Sequence, residues 1–178
     1  MTDELLVKGC LRGEARRQQA LYDKYKVNMF MVCLRYASNR AEAEDFLQDG
    51  FMQVFKDLHQ FDAERGNLQA WMRRVMVNTA LQHLRKKRIA FVGSDISVFA
   101  NEAPYGEDII SMLSAKEIVQ LIQLLPEGYK VVFNLFMIEG YSHQEIADML
   151  GISENTSKTQ LRKARLALQQ KVADLVSA

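Results

Sequence analysis

From Met1 to Ala103 the chain contains no proline, and only Pro104 and Pro126 interrupt the rest. An interior proline removes a backbone hydrogen bond and clashes with the preceding turn, so its scarcity leaves room for long unbroken helices. The apolar residues are spaced to use that room. Leu21, Tyr25, Val32 and Tyr36 recur at helical intervals with Met29 beside them. Ala43, Leu47, Phe51, Phe55 and Leu58 form a second stripe, widened by Phe46 and Val54, and Leu68, Met72, Met76, Ala80 and Leu84 a third. A shorter helix near Glu4–Leu11 is expected to pack beneath them. No strand-like alternation persists, so the expected fold class is all-α.

Local signals set the boundaries. Ser38-Asn39 breaks the first pattern, and Asn39 is placed to cap the helix that follows. Phe61–Asn67 contains Gly66 and reads as a loop. From Ile89 to Pro104 the periodicity lapses, with Gly93, Ser94 and Asn101 in the gap. A loop that long is unusual inside one compact domain. Two helical domains are therefore expected, at 1–88 and 112–178, joined by a flexible linker at 89–111. Leu125-Pro126 marks a further boundary in the second.

With 48% hydrophobic residues, the chain can build a packed core. The net charge of +1 conceals a sorted pattern. Residues 1–88 hold 16 Lys/Arg against 11 Asp/Glu, residues 89–115 hold four acids and no Lys/Arg, and residues 116–178 balance 7 against 7. Within the last part, Thr156–Lys171 carries five basic residues and no acid. Such sorting suggests separate surfaces for separate partners. Cys10 and Cys33 sit inside apolar patterns. They make no disulfide framework, and no Cys/His cluster has zinc-site spacing, so a reducing cytoplasm fits best and no metal is expected. The N-terminus has no apolar run suited to a signal peptide, and no stretch reaches the ~18 apolar residues of a membrane span.

The most specific pattern lies in Pro126–Lys171. Ser142-His143-Gln144-Glu145 has the spacing of a capping box, and Ile146, Ala147 and Leu150 give a short helix its apolar face. Gly151 permits a left-handed turn, Ile152 is expected to plug the core, and Ser153 to cap the next helix. This is the layout of a helix-turn-helix. On the following helix, Ser157, Leu161, Ala164, Leu168 and Val172 fall on one face. Asn155, Lys158, Thr159 and Arg162 fall opposite, flanked by Lys163 and Arg165. A charged face is ordinarily just solvated. Behind such a turn, basic and amide side chains suit the DNA major groove, where Arg or Lys donates to guanine and Asn pairs with adenine.

The third helix ends in Arg85-Lys86-Lys87-Arg88. Four cations there complement the helix dipole and also suit nucleic acid. Arg74, Asn78 and Arg85 share one face of that helix, with Trp71 just after the loop. Such groups can hold a base that has left the stack, although Trp71 also reads as an ordinary core aromatic and Asn78 as a surface amide. On the second helix, Glu42, Glu44, Asp45, Gln48 and Asp49 cluster beside Phe51 and Phe55, which are expected to be exposed. The dipole accounts for the early acids but poorly for Asp49. An acidic and aromatic patch suits a basic partner helix.

The segments AEAEDFLQDGFMQVFKDL (41–58), FDAERGNLQAWMRRVMVNTALQHLRKKR (61–88) and EGYSHQEIADMLGISENTSKTQLRKARLALQQ (139–170) together resemble the extracytoplasmic-function group of sigma-70 family sigma factors. The resemblance implies a sigma-2 domain, a flexible linker and a sigma-4 domain, with no cofactor and no catalytic residue. It implies that Asp45, Gln48, Asp49, Phe51 and Phe55 bind the beta-prime clamp helices of core RNA polymerase. The loop Phe61–Asn67 and helix Leu68–Arg88 would melt and read the −10 promoter element, with Asn67, Trp71, Arg74, Asn78, Arg85, Lys86, Lys87 and Arg88 as DNA contacts and Asn78 touching a flipped base. Asn155, Lys158, Thr159, Arg162, Lys163 and Arg165 would meet the −35 element. The sigma-4 domain would dock on the beta flap, and the acidic linker would thread toward the RNA exit path. Members of the group are often held inactive by an anti-sigma factor, so such a partner is implied as well. Asn155 and Ser157 stand where Gly and Val are common in the group, and Gln160 where Arg is common, so no −35 sequence follows.

Two other readings compete. A helix-turn-helix regulator with an N-terminal effector domain shares the Ser142–Lys171 pattern but leaves the second and third helices unexplained. A helical enzyme or metal bundle would draw on Glu42, Glu44, Asp45 and Asp49 with His59 or His83, but no paired Glu-x-x-His motif exists and no nucleophile, base and oxyanion donors converge.

Overall fold

The computed structural model describes residues 1–90 and 115–176. Every described element is helical, and no strand occurs among the described residues. The chain forms two compact units, Met1–Ser94 and Asp95–Ala178.

The first unit contains α1 (Asp3–Leu11), α2 (Ala15–Tyr36), α3 (Arg40–Asp57) and α4 (Leu68–Ala90), with short 3-10 turns at Leu58–Gln60 and Ala63–Arg65. Helices α2, α3 and α4 pack against one another, and α1 lies on α2. The expected stripes supply the core: Leu21, Tyr25, Met29, Val32 and Tyr36 from α2, Ala43, Phe46, Leu47 and Val54 from α3, and Leu68, Met72, Met76, Ala80 and Leu84 from α4 are all buried. Each large side chain so buried contributes about 1.5–3 kcal/mol. At Gly50 the two helices come so close that an added Cβ would run into the Met76 side chain. Asn39 caps α3, its Oδ1 accepting the Glu42 N–H at 2.9 Å. Lys87 reaches the Glu42 carboxylate at 3.2 Å and ties α4 to α3.

One expectation fails here. Phe51 is buried, not exposed. It lies on the face of Ala43 and Leu47, and its ring packs 4.7 Å from that of Tyr22. Phe55, 6.2 Å beyond it, is half-buried. Helix α4 also continues to Ala90, past the expected boundary at Arg88. The remainder of the expected linker, at 91–111, lies outside the described residues.

The second unit contains α5 (Ala115–Gln123), α6 (Glu127–Phe133), α7 (His143–Leu150) and α8 (Glu154–Val176). A single π-helical turn at Asn134–Ile138 extends α6, with the Glu139 N–H reaching back five residues to the Asn134 carbonyl at 2.9 Å. The long α8 packs against α5, α6 and α7. Leu121, Leu125, Ala164, Leu168 and Val172 form its core, with Tyr129, Phe133 and Ala167 packed around them.

Candidate nucleic-acid interface

Two caps and a turn fix the start of α8. The Glu145 N–H donates to Ser142 Oγ at 3.3 Å, and the Ser142 N–H donates to the Glu145 carboxylate at 2.7 Å, completing the capping box of α7. That backbone donor holds the Glu145 carboxyl below its ordinary range. Gly151 then takes a left-handed conformation, φ 66°, that a side chain would strain. The Ile152 N–H bonds to the Ala147 carbonyl at 3.1 Å, closing the end of α7. Ile152 covers that end half-buried, where a full core plug was expected. Ser153 Oγ accepts the Thr156 N–H at 3.0 Å and starts α8.

The helix then divides as its pattern predicts. Ser157, Leu161, Ala164, Leu168 and Val172 are buried. Asn155, Lys158, Thr159, Arg162 and Arg165 are exposed, and Lys163 is half-buried with Nζ 6.0 Å from the Tyr129 ring centroid. Arg165 donates to Met137 Sδ at 3.1 Å. Lys158 pairs with Glu154 at 2.6 Å and lowers that carboxyl's pKa. The pair is exposed to solvent and contributes little, so it leaves the Lys158 ammonium open to other anions.

In the first unit, α4 presents Arg74, Asn78 and Arg85 as an exposed row, with half-buried Trp71 at its edge. At 100° per residue the four lie within roughly 60° of arc. Trp71 satisfies both sequence readings in part. Its ring packs 5.8 Å from Phe61 and anchors the loop, while its outer edge stays accessible. Asn67 caps α4, its Oδ1 accepting the Ala70 N–H at 2.8 Å, so that oxygen already has a structural duty. Lys86 and Lys87 are exposed, and the Arg88 side chain lies outside the described residues.

On α3, Asp45, Gln48 and Asp49 are exposed along one face. Met52 continues that face and is 64% exposed. Helical spacing from Asp45, Gln48 and Asp49 puts Met52 on this face, where Phe51 was expected. Gln82 adjoins the α4 row without being among the residues expected there. It is exposed on α4 beside the Asn78 row and lines a groove of about 440 Å³ with Lys56, Lys86 and His83. The candidate residues thus fall into three groups: the α3 and α4 faces of the first unit and the α8 face of the second. Among the described residues no helix is long and apolar enough to cross a membrane, and no cluster of His, Cys, Asp and Glu could hold a metal ion.

Comparison with known proteins gives the same order of parts. The family model "Sigma-70 region 2" matches residues 21–89, covering most of α2, all of α3 and nearly all of α4, and "Sigma-70, region 4" matches residues 115–168, covering α5 to most of α8. The chain is 28% identical to the ECF RNA polymerase sigma factor SigW of Bacillus subtilis over 180 residues, spanning 95% of this chain and 96% of that protein. It is 25% identical to the RNA polymerase sigma-H factor of Pseudomonas aeruginosa, spanning 98% and 95%. Its fold is similar to that of the sigma factor RpoE solved with the anti-sigma factor NepR from Bartonella quintana, with TM-score 0.50, 22% identity and coverage of 85% and 94%. A region-2 match explains the helices that a self-sufficient regulator leaves without a role. With both regions present in order, and with relatives aligned end to end, the chain belongs to the extracytoplasmic-function group of sigma-70 family sigma factors.

Proposed function

We propose that this sigma factor directs transcription initiation by dividing its work among three surfaces. The α3 face of Asp45, Gln48, Asp49 and Met52 docks on basic side chains of the core polymerase clamp. The α4 row of Arg74, Asn78 and Arg85, with Trp71 beside it, holds the opened −10 strand. The α8 face of Asn155, Lys158, Thr159 and Arg162 enters the major groove at the −35 element, with Lys163 and Arg165 steadying the flanking phosphates.

The observation that carries this reading is the division of α8. One side is locked into a core, and the other is an exposed row of amide, hydroxyl and cationic groups behind a fully capped turn. Phosphate contacts supply salt-sensitive affinity, and the few groups reaching base edges supply choice. Opening the duplex costs unstacking energy, part of which a pocket for an extruded base returns. No catalytic step falls to this chain, because the polymerase performs the nucleotide chemistry. The activity belongs in the cytoplasm with the polymerase, and an anti-sigma factor that covers these faces is part of the reading.

Transcription of fragmented genomic DNA by purified core polymerase plus this chain, followed by sequencing of start sites, tests the function. Two shared sequence blocks upstream of the starts are expected. Starts with no shared upstream sequence would contradict it.

A further inference from the structure

Inside the second unit a polar contact sits where a helix-turn-helix ordinarily packs apolar groups. Ser157, on the inner face of α8, is fully buried. Its Oγ shares a hydrogen bond with Nδ1 of His143 at 2.9 Å, and His143 is the first residue of α7. The imidazole stacks on Phe136, with centroids 4.4 Å apart and planes 22° from parallel. Phe136 belongs to the π-helical turn that extends α6. Three elements therefore converge on one ring. A buried hydroxyl needs a partner, and the helix interior leaves it few rotations in which to find one.

Resting on the −35 reading above, we propose that His143 is a positioning residue for promoter selection: held between Phe136 and Ser157, it sets the rotation of α8 about its own axis. Ser157 lies within the first turn of α8, between Asn155 and the Lys158–Thr159 pair. Apolar packing alone tolerates small helix rotations, because dispersion has no direction, whereas a hydrogen bond loses its strength when misaligned. At a side-chain radius of ~6 Å, a rotation of about 20° moves a tip by roughly 2 Å, enough to break a contact to a base edge. The residue thus acts through Asn155, Lys158 and Thr159 without touching DNA itself. The charged groups acting on the ring come from α8: Lys158, Glu154 and Arg165. Burial and the nearby Lys158 lower the His143 pKa, so the neutral ring is the form that stacks and bonds at pH 7.

The test compares the full chain with His143→Phe, Ser157→Val and the double variant, each with core polymerase, on promoters carrying a randomised −35 element. His143→Phe strands the buried Ser157 hydroxyl, Ser157→Val takes the protein partner from the half-buried imidazole, and the double variant restores a matched apolar pair. The inference predicts that wild type selects a defined −35 sequence. Both single variants then lose about tenfold in discrimination at the bases read by the first turn. The double variant recovers the melting temperature but keeps an altered base preference, a separation that a merely structural contact would not produce. If the double variant recovers both stability and the wild-type preference, or if the single variants select as wild type does, the positioning role is wrong. If wild type itself ignores the −35 bases, the −35 reading fails first and the inference with it.

Discussion

His83 on α4 holds Asp49 on α3, with Nε2 2.8 Å from the carboxylate. The Phe46 ring packs 5.0 Å from the imidazole. The helix assigned to DNA is thereby tied to the acid assigned to polymerase. Asp49 remains 51% exposed, so it can still meet a cation from outside. Asp49→Lys should weaken core-polymerase binding about tenfold or more through charge reversal against a basic surface. The pair is too exposed for its loss to change folding by more than about 1 kcal/mol. Titration of labelled core polymerase, beside a thermal melt, separates the two effects. Unchanged affinity would place the clamp contact elsewhere.

Asn78→Ala should lower open-complex yield while leaving core binding nearly intact. Asn78 is exposed on α4 between Arg74 and Arg85, so its truncation leaves the buried face of the helix in place. Permanganate footprinting of the −10 region reports opening, and a normal footprint in the variant would reject the base-holding role.

Arg162→Ala should weaken transcription selectively on promoters that carry a −35 element, by about 1–3 kcal/mol in discrimination if the guanidinium reads a base. Equal loss on promoters with and without the element would mean that Arg162 contributes only general phosphate affinity.

Gly151→Ala should cost about 1–2 kcal/mol of stability in the second unit, because alanine is strained at φ 66°. Gly151→Asn should cost less, since asparagine tolerates the left-handed region. Denaturant unfolding measures both. Equal costs for the two variants would show that the turn is not limited by backbone conformation.

His143 gives the second unit a pH dependence of known sign. Its pKa is below the ordinary 6.5 in the folded chain, so the unfolded chain takes up the proton more readily. Its contribution to stability is complete above 6.5 and is lost as the pH falls through the lower folded value. The stability gap between wild type and His143→Phe should therefore narrow on acidification. A gap that stays constant or widens would contradict the burial of a neutral ring.

Much of this was legible in the residue order. The stripe beginning at Leu21 on α2 and the one beginning at Leu68 on α4 predicted buried faces that the fold contains. The Ser142–Glu145 spacing predicted a capping box with both hydrogen bonds in place. Such features are local: a period of 3.6 or a cap three residues away does not depend on distant packing. Phe51 was misjudged because it borders both the apolar stripe and the acidic cluster, and only the packing of Tyr22 decides between them. Met52 carries no signal in the buried periodicity, and only its spacing from Asp45, Gln48 and Asp49 marks it. Ser157 looked like a mere departure from the group's usual valine. Its partner, fourteen residues earlier, becomes apparent only when α7 and α8 are folded together.

Association with the core enzyme tests most directly whether this chain works as the specificity subunit of a polymerase. Purified full-length chain, mixed with core polymerase stripped of other sigma factors, should co-elute with it by size-exclusion chromatography. It should give specific promoter binding only as that complex. Failure to associate with core, or tight specific binding to duplex promoter DNA by the chain alone, would contradict the account.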